Sequence, residues 1–223
     1  MLIAEIGNNH FGDFEKAKEL IRTAHNCGAD LIKGQAFRAA DIKSGSMPQS
    51  FYEQCEFSVQ EYMDLIDYAR EIGNDLFFSI FSTGLEGIEL KQKWKKVTGS
   101  QTKEGKLKLK DDRDNLIVSV PVAASVPKFK KAIVLHVSDY MTSQPNLWHI
   151  ENLTEHTGVQ AGYSDHTMGA EACIKAIRTF GVHVIEKHFT LKKRMEFQGT
   201  VFRDTVHGAA PNEFTQIARE LSK

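Results

Sequence analysis

Eight short apolar runs, spread over the whole chain and mostly separated by helical patterns, constrain the fold of this sequence more than any other feature. They are Leu2–Ile6, Leu31–Phe37, Leu76–Phe81, Trp94–Thr98, Leu116–Val122, Ala132–Val137, Val159–Tyr163 and His183–Phe189. Apolar residues at a 3.6-residue spacing predict helices over Phe14–Cys27, Val59–Ile72, Leu85–Lys93, Asn146–Thr157, Ala170–Phe180 and Pro211–Leu221. Gly28, Gly73, Gly158 and Gly181 each follow a helical segment, where a left-handed residue ends the helix, and Pro211 suits a first turn. Strand–helix alternation implies parallel βαβ units, and eight strands imply closure into a barrel. No Gly-x-Gly-x-x-Gly turn supports an open, doubly wound sheet. The expected fold is an α/β structure, one (β/α)8 barrel domain over residues 1–223.

At 223 residues the chain is short for such a barrel, for which about 250 is typical. Two connections show where the economy falls. Between Thr98 and Asn115 there is no apolar helical stripe, and residues 123–131 are too few for a crossover helix of about a dozen. Helices after strands 4 and 5 are therefore expected to be shortened or missing. The lysines of the first connection alternate with acids and lack aromatic neighbours for base stacking, so they read as a solvated loop or hairpin.

The balance of 28 basic against 29 acidic residues, a net charge of −1, gives no pull toward nucleic acid or an anionic membrane. No apolar run approaches the roughly 18 residues of a membrane span. The first residues place Glu5 inside their only apolar run and lack a basic leader, unlike a signal peptide. Cys27, Cys55 and Cys173 have no metal-ligand spacing and read as reduced thiols, so a cytoplasmic location is expected.

Chemistry concentrates at strand ends. Gly162–Thr167 and Val184–Phe189 each set a histidine beside a carboxylate at the end of an apolar run, where barrels carry catalytic groups. His166 and His188 together would make half of a divalent-metal site, leaving positions for water and a substrate oxygen. Asp165 and Glu186 would orient the imidazoles or the metal's waters from behind. Glu5 lies among apolar neighbours, where a carboxylate is costly unless it is used or paired.

Ala4-Glu5-Ile6-Gly7-Asn8-Asn9-His10-Phe11-Gly12-Asp13 resembles the opening motif of the sialic acid synthase family, whose members condense phosphoenolpyruvate with an N-acyl hexosamine to nine-carbon keto acids. Gly28–Gln35 resembles that family's second-strand motif, and Gly162–Gly169 with Val184–Leu191 its last two strands, in the same order over nearly the whole chain. The resemblance implies a (β/α)8 barrel, Mn2+ or Mg2+ on His166 and His188, and phosphoenolpyruvate and an amino-sugar aldehyde as substrates. It assigns Glu5 to acid/base work on the water that adds to C2. Lys33, Ser79, Lys96, Ser119 and Ser164 would hold the donor, and Gln35, Tyr140 and Asp204 the acceptor.

Departures accompany these matches. Gly99 stands where the family has serine, with Ser100 one step later; Ile80 replaces a proline; Val120-Pro121-Val122 replaces Thr-Gly-Met after Ser119. Phe202-Arg203-Asp204-Thr205 replaces Gly-Pro-Asp-His. Family members also carry a carboxy-terminal antifreeze-like domain. This chain stops at Lys223, so the expectation is a barrel alone, completed by a homodimer or a separate protein. Two other readings stay open: a noncatalytic family member serving as a partner subunit, and a barrel enzyme using another aldehyde, with Lys33 forming a Schiff base.

Overall fold

Every one of the eight apolar runs carries a strand, and the strands pair in parallel into one eight-stranded sheet. The computed structural model describes residues 1–43, 45–99, 114–121, 128–138 and 144–223. The strands are β1 Leu2–Gly7, β2 Leu31–Ala36, β3 Asp75–Ile80, β4 Lys95–Val97, β5 Leu116–Val120, β6 Ile133–Val137, β7 Gly162–Asp165 and β8 Ile185–His188. The helices between and after them are α1 Phe14–Asn26, α2 Gln49–Cys55, α3 Val59–Glu71, α4 Glu86–Lys91, α5 His149–Thr157, α6 Glu171–Phe180, α7 Arg203–His207 and α8 Pro211–Leu221. A two-stranded hairpin, β9 Glu196–Phe197 and β10 Thr200–Val201, follows β8. The connections expected to lack helices lie largely in 100–113 and 122–127, outside the described residues.

Local chemistry explains the helix starts. The Asp13 carboxylate accepts from Lys16 N at 3.0 Å, and Ser58 and Glu61 form a reciprocal capping box at the head of α3. Pro211 opens α8 as expected, with the Glu213 carboxylate accepting from Ala210 N. Among the described residues, no helix is long and apolar enough to cross a membrane.

The sheet runs β3-β2-β1-β8-β7-β6-β5-β4, a (β/α)8 barrel whose ladder is continuous except between its two end strands. There β3 and β4 lie side by side, and a side chain stands in for the missing ladder. Gln92 Oε1 accepts from Phe78 N at 2.9 Å while Gln92 Nε2 donates to Phe78 O at 3.3 Å. Gln92→Leu is expected to strand both buried groups, at about 1–3 kcal/mol each. The urea midpoint should drop with an unchanged slope; an unchanged midpoint would show that the amide does not hold the seam.

Alternation along the strands decides what faces the barrel axis. Ile3, Leu31, Phe77, Ile117 and Leu135 form a buried apolar floor, backed by Trp94, Ile133 and Val184. Two residues further along these strands the lining becomes Glu5, Lys33, Ser79, Lys96 and Ser119, with Ser164 and Glu186 from β7 and β8. Two residues beyond that come Gln35, Phe81, Thr98, His166 and His188. The opposite strand faces, with Ala4, Ile32, Tyr163 and Ile185, pack against the helices in the main core.

Candidate active site

The two polar layers line a cavity of about 340 Å³ at the carboxyl ends of the strands. Register brings its charges together: Glu5 is opposite Lys33 on one side and His188 on the other, and Ser164 is opposite Glu186. Lys33 Nζ is in ion-pair contact with Glu5 Oε2 and lies 3.9 Å from Glu186 Oε1. Lys96 Nζ donates to Glu186 Oε2 at 2.7 Å, and Ser164 Oγ to Glu186 Oε1 at 3.1 Å. Glu5 Oε1 accepts from Gly7 N at 2.7 Å.

Burial sets the protonation of this cluster. It lowers the Lys33 ammonium to about 8, against the opposing pull of Glu186, and lowers Lys96 in the same way. Burial alone would raise Glu186, but Lys33 and Lys96, with Ser164, outweigh it and bring the carboxyl to about 2. The deeper polar layer of the pocket is thus a set of alternating ammonium and carboxylate groups with serine hydroxyls between them. Ser79 Oγ is buried there without a hydrogen bond among the described residues.

At the mouth stand His166 and His188, ring centroids 5.2 Å apart. Burial lowers both imidazoles to about 3, so each is neutral at pH 7. Among the described residues His188 Nδ1 makes no hydrogen bond, and it lies 4.0 Å from Asp204 Oδ2. Asp204 lies in the first turn of α7, and burial raises its carboxyl against the opposing influence of His166, His207 and Lys33. Gly7 sits among these groups with φ of 46°, a left-handed conformation that favours glycine. Two neighbouring neutral imidazoles fit a divalent ion as a partial ligand set. Among the described residues, no three His, Cys, Asp or Glu side chains converge on one such point. The remaining positions would fall to water and substrate oxygens.

The structure gathers Glu5, Lys33, Gln35, Ser79, Lys96, Ser119, Ser164, His166, Glu186 and His188 around one cavity, with Asp204 at its edge. Two expectations are corrected. Asp165 faces away from the imidazoles. It lies on β7 between inward-facing Ser164 and His166, so its carboxylate points to the helix side, where it takes Lys187 Nζ at 2.6 Å and Tyr163 Oη at 2.8 Å. Glu186, expected behind an imidazole, faces the two lysines one layer below. Tyr140, like Ser100, lies outside the described residues.

Ser138 and Phe81 line the cavity and had no assigned role; Thr98, a candidate with Ser100 for the phosphate contact that Gly99 lacks, lines it too. For Ser138 the signal was present: like Ser79, Ser119 and Ser164 it sits at the carboxyl end of its strand. Its Oγ accepts from His166 N at 3.0 Å.

Neutral burial of histidine has a consequence for stability. His10, stacked on Phe57, is also lowered to about 3 by burial. Each of the three has a folded pKa below the ordinary 6.5, so below that value the unfolded chain binds more protons. Stability is therefore full above about pH 6.5 and lost as pH falls toward 3, by up to about 1.4 kcal/mol per pH unit for each group. The metal-free protein should show a clearly lower urea midpoint at pH 5 than at pH 7. Glu186, held at about 2, adds its own loss only below about 4.5. A flat midpoint from pH 7 to pH 5 would mean that these rings are not buried neutral.

Comparison with known proteins places this geometry among relatives. Residues 20–223 match the NeuB family. An uncharacterized protein of Methanocaldococcus jannaschii is 32% identical, the match covering 99% of this chain and 69% of that one. The N,N'-diacetyllegionaminic acid synthase of Campylobacter jejuni is 27% identical over 87% of this chain and 69% of its own. In fold, the chain superposes on the N-acetylneuraminic acid synthetase of Leptospira borgpetersenii with a TM-score of 0.81 at 24% identity, over 99% of this chain and 82% of that one.

Proposed function

Because this chain belongs to the NeuB family, we propose that it condenses phosphoenolpyruvate with the open-chain aldehyde of an N-acyl hexosamine, giving a nine-carbon keto acid and inorganic phosphate. One observation carries the reading: two buried lysines and a row of serine hydroxyls lie directly beneath two neutral imidazoles in a single pocket. The lower layer suits a small molecule bearing a carboxylate and a phosphate. The upper layer suits a carbonyl oxygen.

In this reading Lys33 and Lys96 hold the donor's anionic groups, with Ser79, Ser119 and Ser164 as hydrogen-bond donors. Gln35 and Asp204 hold acceptor hydroxyls at the mouth. The donor's C3 bonds to the aldehyde carbon, whose oxygen takes a proton and becomes a hydroxyl. Water adds to C2 as Glu5 takes its proton, the C2–O bond to phosphate breaks, and C2 becomes the ketone. Mn2+ or Mg2+ held by His166 and His188 would supply Lewis acidity toward the aldehyde oxygen. Fixed charges in a site shielded from water are the main source of rate in such an arrangement.

The test is phosphate release from phosphoenolpyruvate with Mn2+, with and without N-acetylmannosamine or its legionaminic- and pseudaminic-type counterparts, with products read by mass spectrometry. A nine-carbon keto acid formed only with both substrates supports the reading. Failure of both phosphoenolpyruvate and Mn2+ to bind would end it.

A further inference from the structure

Behind the two histidines lies a charged pair that the proposed chemistry does not use. Lys187 and Asp165 face each other across β7 and β8, and both side chains are wholly buried. Lys187 Nζ donates to Asp165 Oδ2 and to Thr167 O, so one ammonium grips the backbone on the far side of His166. Asp165 Oδ1 accepts from Thr167 N at 3.0 Å and from Tyr163 Oη at 2.8 Å. Asp165 Oδ2 also takes Thr167 Oγ1 at 3.1 Å and Cys173 Sγ of α6 at 3.3 Å. Lys187 is itself the residue before His188, and Ser138 Oγ holds the His166 N–H.

Burying two charges is a poor way to gain stability, since a well-packed apolar pair of the same volume does as well or better. A pair of oily residues would not, however, hold the N–H and C=O of Thr167. The turn that presents His166 is fixed on both sides by one ion pair, and the same lysine carries the strand that presents His188.

We propose that Lys187, acting through Asp165 and the backbone of Thr167, is a positioning residue that fixes the spacing of the His166 and His188 imidazoles. It touches neither substrate nor reacting atoms. The inference builds on the reading of these histidines as the metal pair, yet it makes a claim about the metal-free protein as well.

The test compares wild type with the double variant Asp165→Leu/Lys187→Met, which leaves no unpaired buried charge. Leu20→Ala serves as a control destabilised at a buried site on α1 remote from the pair. Mn2+ affinity, measured by calorimetry on folded protein, should fall by about 10–100-fold in the double variant and stay unchanged in the control. In metal-free protein, the His166 and His188 imidazole C–H cross-peaks should be single in wild type and broadened or doubled in the double variant, but not in the control. Unchanged cross-peaks in the folded double variant overturn the proposal, whether or not Mn2+ binds. If wild type binds no Mn2+ while the cross-peaks behave as described, the metal reading fails and the positioning role stands.

Discussion

Glutamine in place of Glu186 is expected to weaken phosphoenolpyruvate binding by about 30-fold to several thousand-fold, the equivalent of about 2–5 kcal/mol. The amide keeps the size of the side chain and a partner for Ser164 Oγ. It removes the negative charge on which both Lys96, at 2.7 Å, and Lys33, at 3.9 Å, rely. In wild type, Glu186 is the opposing influence that limits how far burial lowers both ammonium groups. Without it burial prevails and both fall further. Lysine holds an anion only when protonated, so the alkaline limit of binding must move to lower pH from the region of 8 set by Lys33. Calorimetric titration with phosphoenolpyruvate between pH 6 and 9 reads both effects. An unchanged affinity and an unmoved alkaline limit would show that the donor does not bind at this layer.

Alanine at His166 or His188 is expected to remove Mn2+ binding and to slow condensation by about 10²–10⁴-fold, since Lewis-acid activation is worth several kcal/mol. Each change also removes one ring held neutral by burial. The gap between the urea midpoints of the metal-free protein at pH 7 and pH 5 should therefore narrow. These readouts separate the explanations. Lost turnover with intact Mn2+ affinity would assign the imidazoles to the substrate instead of the ion. A narrowed gap with Mn2+ affinity retained would leave them as buried histidines only.

Most of the barrel was legible because period-two runs and 3.6-residue stripes are local signals. The gathering of Glu5, Lys33, Ser79, Lys96 and Ser119 follows from the same alternation, since each stands two places beyond a floor residue of its strand. The seventh strand shows where this fails. Apolar content marks Val159–Tyr163, but the ladder runs Gly162–Asp165, because pairing with β6 and β8 decides the register. That shift put Asp165 inside a strand and turned its carboxylate away from the pocket. Helices α2 and α7 and the β9–β10 hairpin were not expected, because Phe51 and Cys55 of α2, Phe197 of β9 and Phe202 just before α7 serve a separate cluster. In that cluster Phe37, Met47 and Phe51 meet Phe202, from segments far apart in sequence. Asp204 lies two residues after Phe202, so its position depends on that distant aromatic contact.

Among the described residues, Ile3, Phe77, Ile117 and Leu135 close the barrel beneath the charged layer, and the cavity lies on the side of His166 and His188. A small anion seated on the ammonium layer lies underneath whatever occupies the imidazole layer. In the proposed condensation the two molecules would therefore queue, the deeper one entering first and the shallower one leaving first.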